Sequence, residues 1–84
     1  MKQRWLLCEV SNGMLPDEVA VVIKGAEQDL SLFLPADQVH RQASLTSIAV
    51  DVIDEDEQYG LVTLPKQPIE GSRVVKVLKN RLFA

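Results

Sequence analysis

Hydrophobic positions in this chain either alternate with polar ones or form short apolar runs, which is the pattern of β-strands. Residues 29–34 are typical, because Leu30, Leu32 and Leu34 fall on one face of an extended chain and Ser31 falls on the other. The same character recurs in residues 4–10, 18–24, 47–53, 58–64 and 72–78. The pattern therefore predicts six short strands.

Turn-forming residues separate these segments. Ser11, Asn12 and Gly13 follow the first strand, and Asn and Gly tolerate the positive φ angles that turns require. Pro35 is placed to open a helical turn, so a short helix or 3₁₀ turn is predicted over residues 35–40, and a second short turn over residues 79–82. Almost no other helix is expected.

The order of elements suggests an internal repeat. Sliding the chain by 43 residues without gaps superimposes apolar positions of the two halves: Trp5, Leu7 and Val10 on Ile48, Val50 and Ile53; Val19 and Val21 on Val62 and Leu64; Leu32 and Leu34 on Val75 and Val77. It also places residues 37–39 on residues 80–82. Only Val19 and Glu27 are identical to their counterparts, so the repeat is a hypothesis based on pattern alone.

A small barrel is the fold that these strands predict. An open sheet of this size would expose its edges and one apolar face, whereas a closed or nearly closed sheet hides both. We expect residues 1–84 to form one domain, an all-β, small antiparallel β-barrel of five to six short strands with one or two short 3₁₀ or helical turns. In architecture this resembles the SH3-like barrel, and a six-stranded pseudo-symmetric barrel is the alternative. A likeness of architecture implies no function.

The composition indicates which cellular compartment and which class of partner to expect. Cys8 is the only cysteine and cannot form an internal disulfide, which fits a reducing compartment. The apolar run at residues 5–8 is too short for a signal peptide or a membrane span, so we expect a cytoplasmic protein that makes no membrane contact. The net charge of -3 lowers the expectation of nucleic-acid binding, because such binders usually carry excess Lys and Arg.

An acidic segment lies in the middle of the chain, with carboxylates at Asp51, Asp54, Glu55, Asp56 and Glu57. A calcium loop starting at Asp54 would need Gly at its sixth position and Glu at its twelfth, where this chain has Tyr59 and Pro65. The β-rich flanks instead predict a hairpin whose tip, residues 54–57, lies in water. Weak binding of divalent cations at this tip stays open as an alternative.

Other chemistry is sparse. His40 is the only histidine, and its position after Pro35 predicts a surface turn rather than a metal ligand. Cys8 lies within a predicted strand and is expected to be a buried apolar residue rather than a nucleophile. The four glycines do not form a phosphate-binding loop. We therefore predict no catalytic, metal-binding or cofactor-binding residues, and no enzyme activity within one chain; a site formed only between subunits is a third alternative.

Basic residues concentrate near the two ends of the chain. If the first and last strands are neighbours, these residues would form one basic strip, with the acidic hairpin elsewhere on the surface. The predicted partner-binding residues are Lys2, Arg4, Trp5, Arg73, Lys76, Lys79 and Arg81. Trp5 could equally be the largest core residue. The hypothesis is a non-enzymatic protein-binding or assembly module that binds a protein partner or itself; a nucleic-acid-binding barrel using the same strip is the alternative.

Overall fold

The computed structural model describes residues 2–84, which form β-strands joined by turns and two short 3₁₀ helices. In chain order the elements are β1 (Lys2–Asn12), β2 (Glu18–Lys24), β3 (Asp29–Pro35), the 3₁₀ helix Ala36–Gln38, β4 (Val39–Gln42), β5 (Leu45–Glu55), β6 (Tyr59–Thr63), β7 (Val74–Leu78), the 3₁₀ helix Lys79–Arg81 and β8 (Leu82–Phe83). All strand pairs are antiparallel. The predicted all-β class, the six predicted strands and both short turns are confirmed.

The two long strands β1 and β5 form the centre of the sheet. The strand order is β3-β2-β1-β5-β6-β7, with β4 paired to β5 and β8 paired to β1. β1 pairs with β5 through residues 2–8 and with β2 through residues 9–12, so this one continuous strand changes its pairing partner along its length. β5 likewise passes from β4 and β1 to β6. These changes of partner curl the sheet into a small half-barrel.

The two halves of the chain repeat one plan of three strands, a 3₁₀ helix and a short strand. Equivalent strands also pair alike: Val10 lies opposite Val21 in the first half, and Val52 lies opposite Val62 in the second. The architecture is therefore pseudo-two-fold, as the second fold alternative supposed.

The ungapped 43-residue alignment is wrong in the first two strands of each half. A register shift between Val52 and Asp54 marks a β-bulge at Ile53, which has no counterpart in β1. Before the bulge the offset is 42 residues, so Leu6, not Trp5, is equivalent to Ile48. The hairpin turn that follows is shorter in the second half, which reduces the offset to 41 residues in β2 and β6. From β3 onward the offset of 43 residues holds.

The core lies on the concave side of the sheet and is almost entirely aliphatic. Leu6 and Ile48 face each other at the centre of the β1–β5 pair, and both are fully buried. Leu30, Leu32 and Leu34 of β3 also point inward, as their alternation predicted. Side chains from β2, β6 and β7 complete the cluster, namely Val21, Ile23, Val62, Val75 and Val77.

Strands β4 and β8 are absent from the sequence-based prediction. Each follows a 3₁₀ helix directly and contributes one buried residue, Val39 in β4 and Leu82 in β8. The β4–β5 turn has only two residues, Ala43 and Ser44, and Ala43 takes a φ of 55°. A strand of two to four residues with a single inward side chain shows no periodicity along the sequence, so the pattern could not reveal it.

Loops bridge the seam between the two end strands, β3 and β7. The Ala26 amide in the β2–β3 turn donates to the Lys76 carbonyl of β7 at 2.8 Å. The Ile69 amide in the β6–β7 connection donates to the Ser31 carbonyl of β3, also at 2.8 Å. These contacts cover parts of both edges, which would otherwise be open to further strand pairing. Within residues 2–84 no helix is long and apolar enough to cross a membrane.

Candidate functional site

The acidic segment forms the tip of the β5–β6 hairpin, as predicted. Strand pairing runs from Asp51 opposite Thr63 to Glu55 opposite Gly60, and the turn occupies residues 56–58. The Asp56 carboxylate accepts hydrogen bonds from the amides of Tyr59 at 2.7 Å and Gln58 at 2.8 Å. These amide contacts lower the pKa of Asp56, with a smaller contribution from nearby lysines. The Asp56 carboxylate therefore stabilises the turn.

Two of the predicted basic residues lie beside this acidic turn. The Lys79 ammonium donates to the Asp56 carbonyl at 3.0 Å, and the Lys76 ammonium lies 4.8 Å from the centre of the Tyr59 ring. Both lysines contribute to the lowered pKa of Asp56. The expectation that the acidic tip and the basic residues occupy separate surfaces is therefore wrong. The reason is topological, because β7 pairs with β6 and not with β1.

The other predicted partner-binding residues fall in two further places. Lys2, Arg4 and Trp5 belong to β1, and β8 does pair with β1, which brings Arg81 to that part of the sheet. Arg4 and Arg81 are half-buried, and the Nε atom of each is buried without a hydrogen-bond partner in the described part of the chain. Arg73 instead crosses to the β6–β7 connection, donating to the carbonyls of Leu64 at 2.7 Å and Pro65 at 3.2 Å.

Trp5 is neither a core residue nor a fully exposed one. It lies on the opposite face of β1 from Leu6, is half-buried, and its ring centre is 4.7 Å from that of His40 with an angle of 30° between the planes. His40 is exposed and belongs to β4, not to a turn as predicted. The two rings thus cover each other on the convex side of the sheet.

A surface that the sequence-based reasoning missed lies on the convex side of β5, β6 and β7. Four large apolar side chains are exposed there: Ile53 (45%), Leu61 (37%), Val74 (41%) and Leu78 (43%). The three outward residues of β7 and their β6 neighbours are directly paired, with Leu61 opposite Lys76, Thr63 opposite Val74 and Tyr59 opposite Leu78. We call the side chains of Ile53, Leu61, Val74, Lys76 and Leu78 the β6–β7 face. The sequence did carry a signal for this surface, because apolar residues occupy the outward as well as the inward positions of β6 and β7.

The equivalent surface of the first half carries smaller side chains at three positions, and Phe33 at the position of Lys76. The backbone positions that correspond to Leu61, Val74 and Leu78 hold Ala20, Ser31 and Pro35. Because both halves share one backbone plan, the fold itself does not require large apolar side chains at these positions. The β6–β7 face is thus an exposed apolar patch of the kind that marks interaction sites.

The Cys8 thiol is buried in the core, as predicted. Burial raises its pKa, and this effect outweighs the opposite contributions of the Thr46 hydroxyl and of two arginines. A thiol with a raised pKa ionises first in the unfolded state, so its contribution to stability is fully present below the ordinary thiol pKa and is lost as the pH rises through the raised pKa of the folded state.

We expect Cys8 to be unreactive toward a disulfide reagent such as Ellman's reagent in the native protein at pH 8, because the thiolate form is scarce and the sulfur is covered. In guanidinium chloride the same thiol should react completely within minutes. Absorbance of the released thiolate measures both. Fast, stoichiometric labelling of the native protein would contradict the buried position.

Metal chemistry and known families give no further indication of function. Among residues 2–84, no group of three or more His, Cys, Asp or Glu side chains is placed to hold a metal ion. No family model, no curated protein and no solved structure matches this chain. The function must therefore be inferred from the surface itself.

Proposed function

We propose that this chain is a non-enzymatic protein-binding or assembly module of the cytoplasm, able to self-associate, and that it binds through the β6–β7 face. The observation that supports this most directly is the exposure of Leu61, Val74 and Leu78 where the equivalent half carries Ala20, Ser31 and Pro35. Exposed aliphatic side chains lose their contact with water when a partner covers them, and this is the main favourable term in protein association.

In this proposal, only Lys76 and Lys79 of the predicted basic strip lie at the contact surface. Lys76 lies among the apolar residues of the β6–β7 face, and Lys79 lies at its end, next to Asp56. An isolated charge within an apolar patch contributes to orientation and specificity more than to affinity. Lys2, Arg4 and Trp5 belong to a separate region and are left out of the proposed contact.

Nucleic acid remains the competing partner class, and no specific contact favours it. The acidic side chains around Lys76 and Lys79 would repel phosphates from these two lysines. The cytoplasmic assignment is supported by the single cysteine, which is kept buried and unpaired.

A photo-crosslinking amino acid at position 61, expressed in the source cells, tests the class of partner. We expect ultraviolet light to produce adducts from position 61 that resist nuclease and are digested by protease. The matched control carries the same amino acid at position 31, which is exposed on β3, is equivalent to Val74 of β7, and should give none. Adducts removed by nuclease, or equal yields from both positions, would overturn the proposal.

A further inference from the structure

Three residues that lie side by side across β5, β6 and β7 form a row with opposite charges at its two ends. Asp54 of β5 lies directly opposite Leu61 of β6, and Leu61 lies directly opposite Lys76 of β7. Adjacent strands are about 4.8 Å apart, so the two charged residues are separated by roughly 10 Å across Leu61. All three side chains are exposed.

Intramolecular contacts hold both ends of this row in place. The Lys76 ammonium lies over the Tyr59 ring, and the Asp54 carboxylate accepts the Glu55 amide at 2.9 Å. Side chains that are already positioned lose less conformational freedom when a partner binds. The row is therefore suited to make defined intermolecular contacts.

The equivalent row of the first half has no charge. It consists of Ser11, Ala20 and Phe33, joined by the same two strand pairings. The backbone plan therefore accepts uncharged residues at both ends, and the charges at Asp54 and Lys76 are specific to the half that also carries the exposed apolar side chains.

We infer that the occupant of the β6–β7 face is a second copy of this chain, packed face to face about a two-fold axis that lies between the two copies, parallel to β6 and over the Leu61 side chain. This inference rests on the proposed function. A two-fold axis in that direction reverses the row, so that Lys76 of each copy faces Asp54 of the other and the two Leu61 side chains meet at the centre. The resulting contact is isologous and closes at two copies.

The charges favour this axis over one that lies in the same plane but runs perpendicular to the strands. A two-fold axis perpendicular to the strands would place Lys76 against Lys76 and Asp54 against Asp54. Like charges in direct contact disfavour such a pairing, whereas opposite charges favour the first. The row thus specifies the orientation, and the two Leu61 side chains supply apolar contact at its centre.

Charge reversal tests the inference. Sedimentation velocity in 0.1 M salt should give a dimer for the wild type, and dissociation constants about tenfold or more higher for Lys76→Asp and for Asp54→Lys, because each substitution creates two like-charge contacts in the dimer. Mixing these two variants in equal amounts should restore dimers as heterodimers, since every contact is again between opposite charges. The double variant Lys76→Asp/Asp54→Lys should dimerise like the wild type.

Ser11→Lys is the matched control, because Ser11 is exposed and occupies the position equivalent to Asp54. It should leave the dimer unchanged, and circular dichroism should show all variants folded. A wild type that is monomeric at every concentration, single variants that dimerise normally, or a mixture that does not reassociate would each overturn the inference. If position 61 still gives protease-sensitive adducts with a different protein, only the identity of the partner fails; if it gives none, the proposed function fails as well.

Discussion

Ile48→Ala is expected to lower the free energy of unfolding by about 2–5 kcal/mol, the usual effect of truncating a fully buried aliphatic side chain. Ile48 is fully buried where three strands meet, since it pairs with Leu6 of β1 on one side and with Val39 of β4 on the other. All these neighbours are fixed by strand pairing, so they cannot move in to fill the space. A chain of 84 residues has a total stability of roughly 4–13 kcal/mol, so the variant should be close to unfolding.

Ile53→Ala provides the matched control, because it removes the same atoms from the same strand. Ile53 lies in the bulge with 45% of its side chain exposed, so its truncation should cost less than about 1 kcal/mol. Urea unfolding followed by tryptophan fluorescence measures both, and the midpoint should fall sharply only for Ile48→Ala, with an unchanged slope. Equal losses for the two variants would show that Ile48 does not occupy the centre of the core.

The strands could be predicted because each carries its own signal. In β3 the inward positions hold three leucines in alternation, and in β7 the inward Val75 and Val77 follow the same period of two. The acidic hairpin tip could be predicted for a local reason as well, since turn residues between two β-rich segments leave little choice of structure.

The pairing of strands could not be predicted in the same way. Whether β7 lies beside β1 or beside β6 depends on contacts between residues that are distant along the chain, and no local pattern encodes it. The basic strip was predicted on the assumption that the last long strand joins the first, but only the two residues of β8 do so. As a result Lys76 and Lys79 lie beside Asp56 and not beside Arg4.

The internal repeat shows how one inserted residue hides a structural symmetry. The extra Ile53 in β5 and the shorter turn before β6 shift the register in opposite directions, so no single offset aligns the halves. The β6–β7 face was missed for a different reason. Leu61, Val74 and Leu78 are of the same residue types as the core, and only the structure shows that they point outward.

The closure of the curled sheet depends on a glycine in the β2–β3 turn. Gly25 donates its amide to the Gln28 carbonyl at 3.1 Å, and the next residue, Ala26, makes the hydrogen bond to Lys76 of β7. A Cβ atom at Gly25 would lie 2.5 Å from the Gln28 carbonyl oxygen and 3.4 Å from a methyl of Val75. The first distance is too short for any contact, and the obstacle is backbone, which cannot rotate away as a side chain can.

Gly25→Ala should therefore move the turn away from β7 and lower the free energy of unfolding by about 1–3 kcal/mol, through strain in the turn and weakening of the bond that bridges the seam. Glu27→Ala, an exposed change in the same turn, should cost no more than about 0.5 kcal/mol. Hydrogen exchange of the Ala26 amide separates the two effects, since its protection should fall in Gly25→Ala more than that of the β1–β5 amides and stay unchanged in Glu27→Ala. If Gly25→Ala keeps both its unfolding midpoint and the protection of Ala26, the seam between β3 and β7 is not held by this turn, and the curl of the sheet must be set by the pairing of β1 and β5 alone.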